Sequence, residues 1–286
     1  MKLQFMKHRK LSYWISGILV VLSIVSLLFK GLNYGIDFSG GISMEVVPVE
    51  NYTIDRMRSD LSGFRPELQK MVDTGNILVR VGLPSDSSAD ARDVLKEDIK
   101  NALGSNISKI VKEDVVSGRI SDELMRGGIM ATIFAFLLMS IYIWIRYKGG
   151  YAVGSLVSLV LDFIIMFGFF SVVGLEFNQT AIAVILMGIG YSMNDKVVNY
   201  DRIEENAKKY HKMPQDDLID LSINETMRRT ILTSVSTMLC MLGLYFFGGS
   251  MLREFAVAMI FCVVMGTLTS IYVSNVVLYH FNIRKD

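Results

Sequence analysis

Six stretches of the chain, residues 12–29, 124–145, 151–174, 179–200, 230–248 and 254–279, stay apolar over about the 20 residues that an α-helix needs to cross a bilayer. Backbone N–H and C=O groups in hydrocarbon must be satisfied inside their own segment, so each stretch is read as a membrane-spanning helix. Composition agrees, with 51% hydrophobic and only 20% charged residues. A formal net charge of +1 leaves no basic field for a nucleic acid, and the basic residues cluster beside the apolar runs as topology determinants do. No small-x-small cleavage pattern precedes Gly35 after the long first run, which predicts an uncleaved anchor.

Lysine and arginine in short segments set the orientation. Lys2, Lys7, Arg9 and Lys10 precede the first span, Arg146 and Lys148 follow the second, Arg202, Lys208, Lys209 and Lys212 follow the fourth, and Arg284 and Lys285 end the chain. The opposite short loops carry only Arg253 and Glu176, so both termini are expected on the cytoplasmic side. The expected organisation is a tail over 1–11, a first span over 12–29, an extracytoplasmic domain over 30–121, and a five-helix membrane domain over 122–286 with a cytoplasmic loop at 201–228.

The segment outside has the punctuation of a small α+β domain. "IDFSGGISMEVV" alternates Ile42, Met44 and Val46 on one strand face, and "TIDRMRSDL" reads as a short helix. "ELQKMVDTGNILVRVGL" reads as two strands joined at Asp73-Thr74-Gly75-Asn76. "SSADARDVLKEDIKNALG" is an amphipathic helix capped by Ser87 or Ser88, with Val94, Leu95, Ile99 and Ala102 as its apolar stripe and Gly104 as its stop. "ISKIVKEDVV" adds a last strand, so the order β-α-β-β-α-β predicts a ferredoxin-like domain. The glycine-rich "GLNYGIDFSGG" before it lacks the Lys-Ser or Lys-Thr pair of a phosphate loop. It reads as a junction: Gly31 and Gly35, followed by Asp37, close the first span, and Gly40 and Gly41 begin or bulge the first strand, or else form a flexible linker.

A charge at bilayer depth costs roughly 2.5 to 3.5 kcal/mol and ordinarily faces a partner or water, which singles out Asp162, Asp195 and Arg229. Gly188, Ser192, Asp195 and Asn199 stack on one face of the fourth span. Arg229, Thr233, Ser236, Cys240 and Gly243 recur along the fifth, and Ser155, Ser158 and Asp162 along the third. The three stripes imply a shared interior seam. Two readings fit it. In one, Asp195 relays a proton or ion, Arg229 is its electrostatic partner, Asp162 is a further relay carboxylate, and Ser192, Thr233 and Ser236 carry water or hydrogen bonds. In the other, the charges only pack helices, and Lys196 pairs with its neighbour Asp195 at the interface. The sequence holds no HExxH, GxSxG or paired-cysteine metal spacing; Cys240 and Cys262 sit in apolar runs, so no catalytic residue, cofactor or metal site is expected.

Together with "GLNYGIDFSGG", the motifs "GYSMNDKVVNYDRIEEN", "RRTILTSVSTMLCMLGLYFFGG" and "LREFAVAMIFCVVMGTLTSIYVSNVVLY" resemble, in order and position, the SecD/SecF family of bacterial protein-export subunits, SecF type, within the resistance-nodulation-division superfamily. The resemblance covers essentially the whole chain. It implies a multi-pass protein of the bacterial cytoplasmic membrane that pairs with SecD, associates with the SecYEG channel and accessory Sec subunits, and uses proton or sodium flow to help draw a preprotein across. The family's fourth-span aspartate falls on Asp195 and its fifth-span arginine on Arg229. The chain departs from the family at Lys196, where a small hydroxyl or alanine is usual, at Asn199, usually apolar, at Leu161 in place of histidine, and at "SGR", residues 117–119. Two rival functions remain compatible with the residues: a half-unit of a small-molecule efflux transporter, and an assembly scaffold without transport.

Overall fold

The computed structural model describes residues 4–50, 52–64, 66–71, 74–82, 89–116, 118–147, 149–248 and 250–281. Of the positions singled out above, Lys2, Asp73, Ser87, Ser88, Ser117, Lys148, Arg284 and Lys285 lie outside this set. The described chain divides into two compact units, Tyr34–Met130 and the remainder, which comprises Met1–Asn33 and Ala131–Asp286.

The smaller unit carries β1 (Gly41–Pro48), α1 (Ile54–Asp60), β2 (Glu67–Lys70), β3 (Ile77–Val81), α2 (Ala89–Leu103) and β4 (Ile107–Val116). Its sheet is antiparallel in the order β2-β3-β1-β4, which is ferredoxin-like connectivity. Alternation in β1 turns Ile42, Met44 and Val46 onto Ile77, Val79 and Val81 of β3, and Met57, Leu61, Ile99 and Leu103 of the two helices close the same core. Val94 is exposed instead, because the buried stripe of α2 runs through Leu95, Ile99 and Leu103 at intervals of four. The β2–β3 turn closes with Met71 N donating to Asn76 O at 2.8 Å, and Gly75 takes the left-handed conformation at φ +72°.

Among the described residues, six helices are long and apolar enough to span a bilayer: Arg9–Phe29, Ser121–Arg146, Gly150–Val173, Gln179–Lys209, Gln215–Phe247 and Leu252–Leu278, numbered here as spans one to six. Spans three, four and six form the interior of the larger unit, with 44%, 50% and 56% of their most apolar windows buried, against 6% for span two. Small residues let helices approach: a methyl at Gly188 of span four would lie 2.1 Å from Cys262 Sγ of span six, and one at Gly168 of span three would lie 2.2 Å from Ser23 Oγ of span one. Span six is α-helical over Ser250–Leu268 and then widens to a π-helix over Thr269–Ser274.

The loop expected over 201–228 is mostly helix. Span four continues to Lys209 and span five starts at Gln215, because Ile203 and Ala207 on one side and Leu218, Ile219 and Ile223 on the other form buried stripes at helical spacing. Arg202 Nε donates to Glu225 Oε2 at 2.7 Å and Asn206 Nδ2 to Ser222 Oγ at 2.9 Å across this hairpin.

Candidate intramembrane ion centre

The glycine junction has a defined geometry. Gly35 O accepts from Phe38 N at 3.0 Å, opening the single helical turn Ile36–Ser39 that contains Asp37. Gly40 and Gly41 have φ of +69° and +144°, and a side chain at Gly41 would meet Val81 O at 2.4 Å. Only glycine fits that step into β1.

Within the larger unit, spans three and four present their polar faces to each other and to span six. Asp162 is 6% exposed. Its Oδ2 accepts from Lys196 Nζ at 2.5 Å and from Ser192 Oγ at 2.7 Å, and its Oδ1 accepts from Thr269 Oγ1 at 2.5 Å. Lys196 is fully buried and donates also to Ser192 Oγ at 2.9 Å. A buried pair with this many hydrogen bonds satisfies both charges, and removing one partner would strand the other at a cost of about 3–5 kcal/mol. A cavity of about 10 Å³ lies beside Asp162, Gly188, Ser192 and Gly266, room for about one water.

Asp195 is 3% exposed and belongs to a second cluster. Its Oδ2 accepts from Thr267 Oγ1 at 3.3 Å; Thr267 Oγ1 and Ser234 Oγ are 2.9 Å apart, and Tyr191 OH donates to Ser234 Oγ at 2.9 Å. A chain of hydroxyls from spans four, five and six thus leads to the carboxylate. One turn further on, Thr226 Oγ1 donates to Asn199 Oδ1 at 2.7 Å.

The expected partners of Asp195 are placed differently. Lys196 turns to Asp162 instead, since one residue step swings the side chain by about 100° around the helix. Arg229 lies on the exposed face of span five and forms no ion pair within 4.0 Å among the described residues. Thr233 donates back to its own helix, to Arg229 O and Thr230 O, and Ser236 is exposed. The inward stripe of span five is Thr226, Thr230 and Ser234. The expected stripe through Arg229, Thr233 and Ser236 is this one displaced by about one residue. Thr267 and Thr269 escaped the sequence reading, though the hydroxyl-rich "GTLTS" after Gly266 was a signal for them.

Among the described residues, six apolar spans, a ferredoxin-like domain and a buried carboxylate and ammonium network define a polytopic membrane protein with charged groups in its helical interior. The family model for the SecD/SecF GG motif matches residues 25–47, and that for protein export membrane protein SecD/SecF, C-terminal, matches residues 95–284. Similar curated proteins include the protein translocase subunits SecF of Rickettsia bellii, 38% identical over 98% of this chain and 94% of that protein, and of Rickettsia felis, 39% identical over 98% and 92%. Among solved structures, SecDF of Thermus thermophilus, a translocon-associated membrane protein, is 31% identical with a TM-score of 0.85. SecDF in a super-membrane-facing form is 30% identical with a TM-score of 0.72. The chain spans only 38% and 39% of those two longer chains. The chain belongs to the SecD/SecF family of protein export membrane proteins, and its relatives group it with the SecF type.

Proposed function

We propose that this protein is a SecF-type subunit of the Sec preprotein translocase of the cytoplasmic membrane, working with a SecD partner to couple an ion gradient to export. The observation that carries the reading is a pair of buried polar clusters among the apolar spans, Asp162 with Lys196 and Ser192, and Asp195 with the hydroxyls of Thr267 and Ser234. Such groups are retained in hydrocarbon where they move ions or protons. A carboxylate changing its protonation state changes which hydrogen bonds it accepts, and helices that meet through those bonds then settle into a second arrangement. One charge moved through 100 mV releases about 2.3 kcal/mol, enough to bias a two-state element. The similarity to a single chain joining SecD and SecF, of which this chain spans 38%, supports a SecD-type partner for the remainder. In this reading both termini are cytoplasmic, the ferredoxin-like domain is extracytoplasmic, and the complex acts on a preprotein at the SecYEG channel.

Export of a labelled preprotein into inverted vesicles containing the complex tests it. Asp195→Asn and Asp162→Asn are each expected to abolish stimulation by an imposed gradient while the complex still assembles. Full stimulation in both variants returns the seam to a packing role.

A further inference from the structure

The oxygens gathered at Asp162 are of the kind a hard cation takes, and two of them hold Lys196. Asp162 Oδ2 and Ser192 Oγ lie 2.5 and 2.9 Å from its Nζ. Thr269 Oγ1 holds the other carboxylate oxygen and reaches Gly266 O at 3.1 Å, which Ser192 Oγ also approaches at 3.4 Å. A carboxylate, two hydroxyls and a backbone carbonyl from three spans thus converge, the all-oxygen chemistry that suits hard cations. The ammonium binds two of these oxygens and already neutralises Asp162. A metal cation entering beside it would bring a second positive charge with no counter-charge into a buried site.

We propose that Lys196 is a tethered counter-cation that determines ion specificity: its ammonium fills the cation position of the Asp162 centre, keeps Na⁺ out, and leaves the proton as the ion exchanged there. The inference rests on the gradient-coupled reading above for its meaning in export. A proton arriving on an Asp162 oxygen cancels the counter-charge and releases the ammonium, whose flexible stem then turns away, toward the adjacent Asp195 of the same span. Among the described residues, the Cys262 thiol of span six lines the same small cavity as Asp162, and Lys196 is the charged group in contact with that carboxylate.

The test measures radiolabelled Na⁺ binding to the full-length protein in its isolated complex, in lipid nanodiscs. Wild type is expected to show no saturable Na⁺ binding. Lys196→Ser is expected to gain saturable Na⁺ binding, and adding Asp162→Asn to abolish it. Saturable binding by wild type overturns the inference and needs no variant to fold; a Lys196→Ser protein with normal thermal unfolding and no Na⁺ binding overturns it equally. In export vesicles, wild-type stimulation by a Na⁺ gradient overturns the inference and keeps the coupled reading. Stimulation by neither gradient overturns the coupled reading, while the binding measurement still decides the role of Lys196.

Discussion

Glu113, at the helix-facing side of β4, shows how a single charge is fixed by its surroundings. Burial pushes its carboxyl up, but the hydrogen bonds and charges of Lys100 and Lys96 outweigh this and hold it below its ordinary value of 4.5. A carboxylate whose pKa is depressed by folding stabilises the fold fully above its unfolded value and loses that contribution as pH falls through the folded one. Glu113→Gln is therefore expected to lower stability by about 0.5–1 kcal/mol at pH 7 and by progressively less below pH 4.5, read from thermal unfolding of the domain at several pH values. Residue by residue, the sequence was legible where chemistry alone decides. Asp195 is a carboxylate in an apolar run, and Gly41 stands at the entry to a strand. It was opaque for Lys196, because its neighbour in the chain is not its neighbour in space. Which helix lies 100° around span four is a tertiary fact, and so the pairing with Asp162 could not be read from spacing within one span.

At the scale of elements, the lesson comes from span five. Both of its polar stripes have helical periodicity, and periodicity alone does not say which one faces inward; the choice of Thr226, Thr230 and Ser234 is made by the hydroxyls and Asn199 that meet them. The close contact of spans four and six rests on Gly188 against Cys262. Gly188→Ala is expected to cost about 1–3 kcal/mol by overpacking, and Cys262→Ala, which removes the sulfur, to restore part of it. A double-mutant cycle on thermal unfolding checks this, with additive effects counting against the contact. The π-helix of span six is another feature that apolar periodicity hides. Ser158 and Tyr200 donate to its carbonyls at Thr269 and Ser274, at 3.5 and 3.1 Å, so side chains of spans three and four hydrogen-bond to the backbone of this segment.

For the whole molecule, two hydrophobic cores follow from two solvents. The domain core, made by Met44, Leu61, Ile77 and Leu103 among others, excludes water, whereas the membrane unit leaves Leu, Ile and Phe side chains outward and gathers its polar groups inside. That inversion is why the fold class was legible in composition and periodicity. Leu61→Ala is expected to destabilise the domain by about 2–5 kcal/mol. Hydrogen exchange should then accelerate in β1 to β4 and remain unchanged in spans three, four and six; equal acceleration in both would show one cooperative unit.

The Asp162–Lys196 pair also bears on how the chain comes to lie in the membrane at all. Taken singly, span three would carry a lone carboxylate into the bilayer, and span four, whose hydropathy of 1.3 is the lowest of the six, would carry both a carboxylate and an ammonium. Each such charge opposes partitioning by roughly 2.5–3.5 kcal/mol. Entering together as a helical hairpin, the two spans bring Asp162 and Lys196 in as a neutral couple. The order of synthesis suits this, since span four emerges directly after span three and finds its counter-charge waiting.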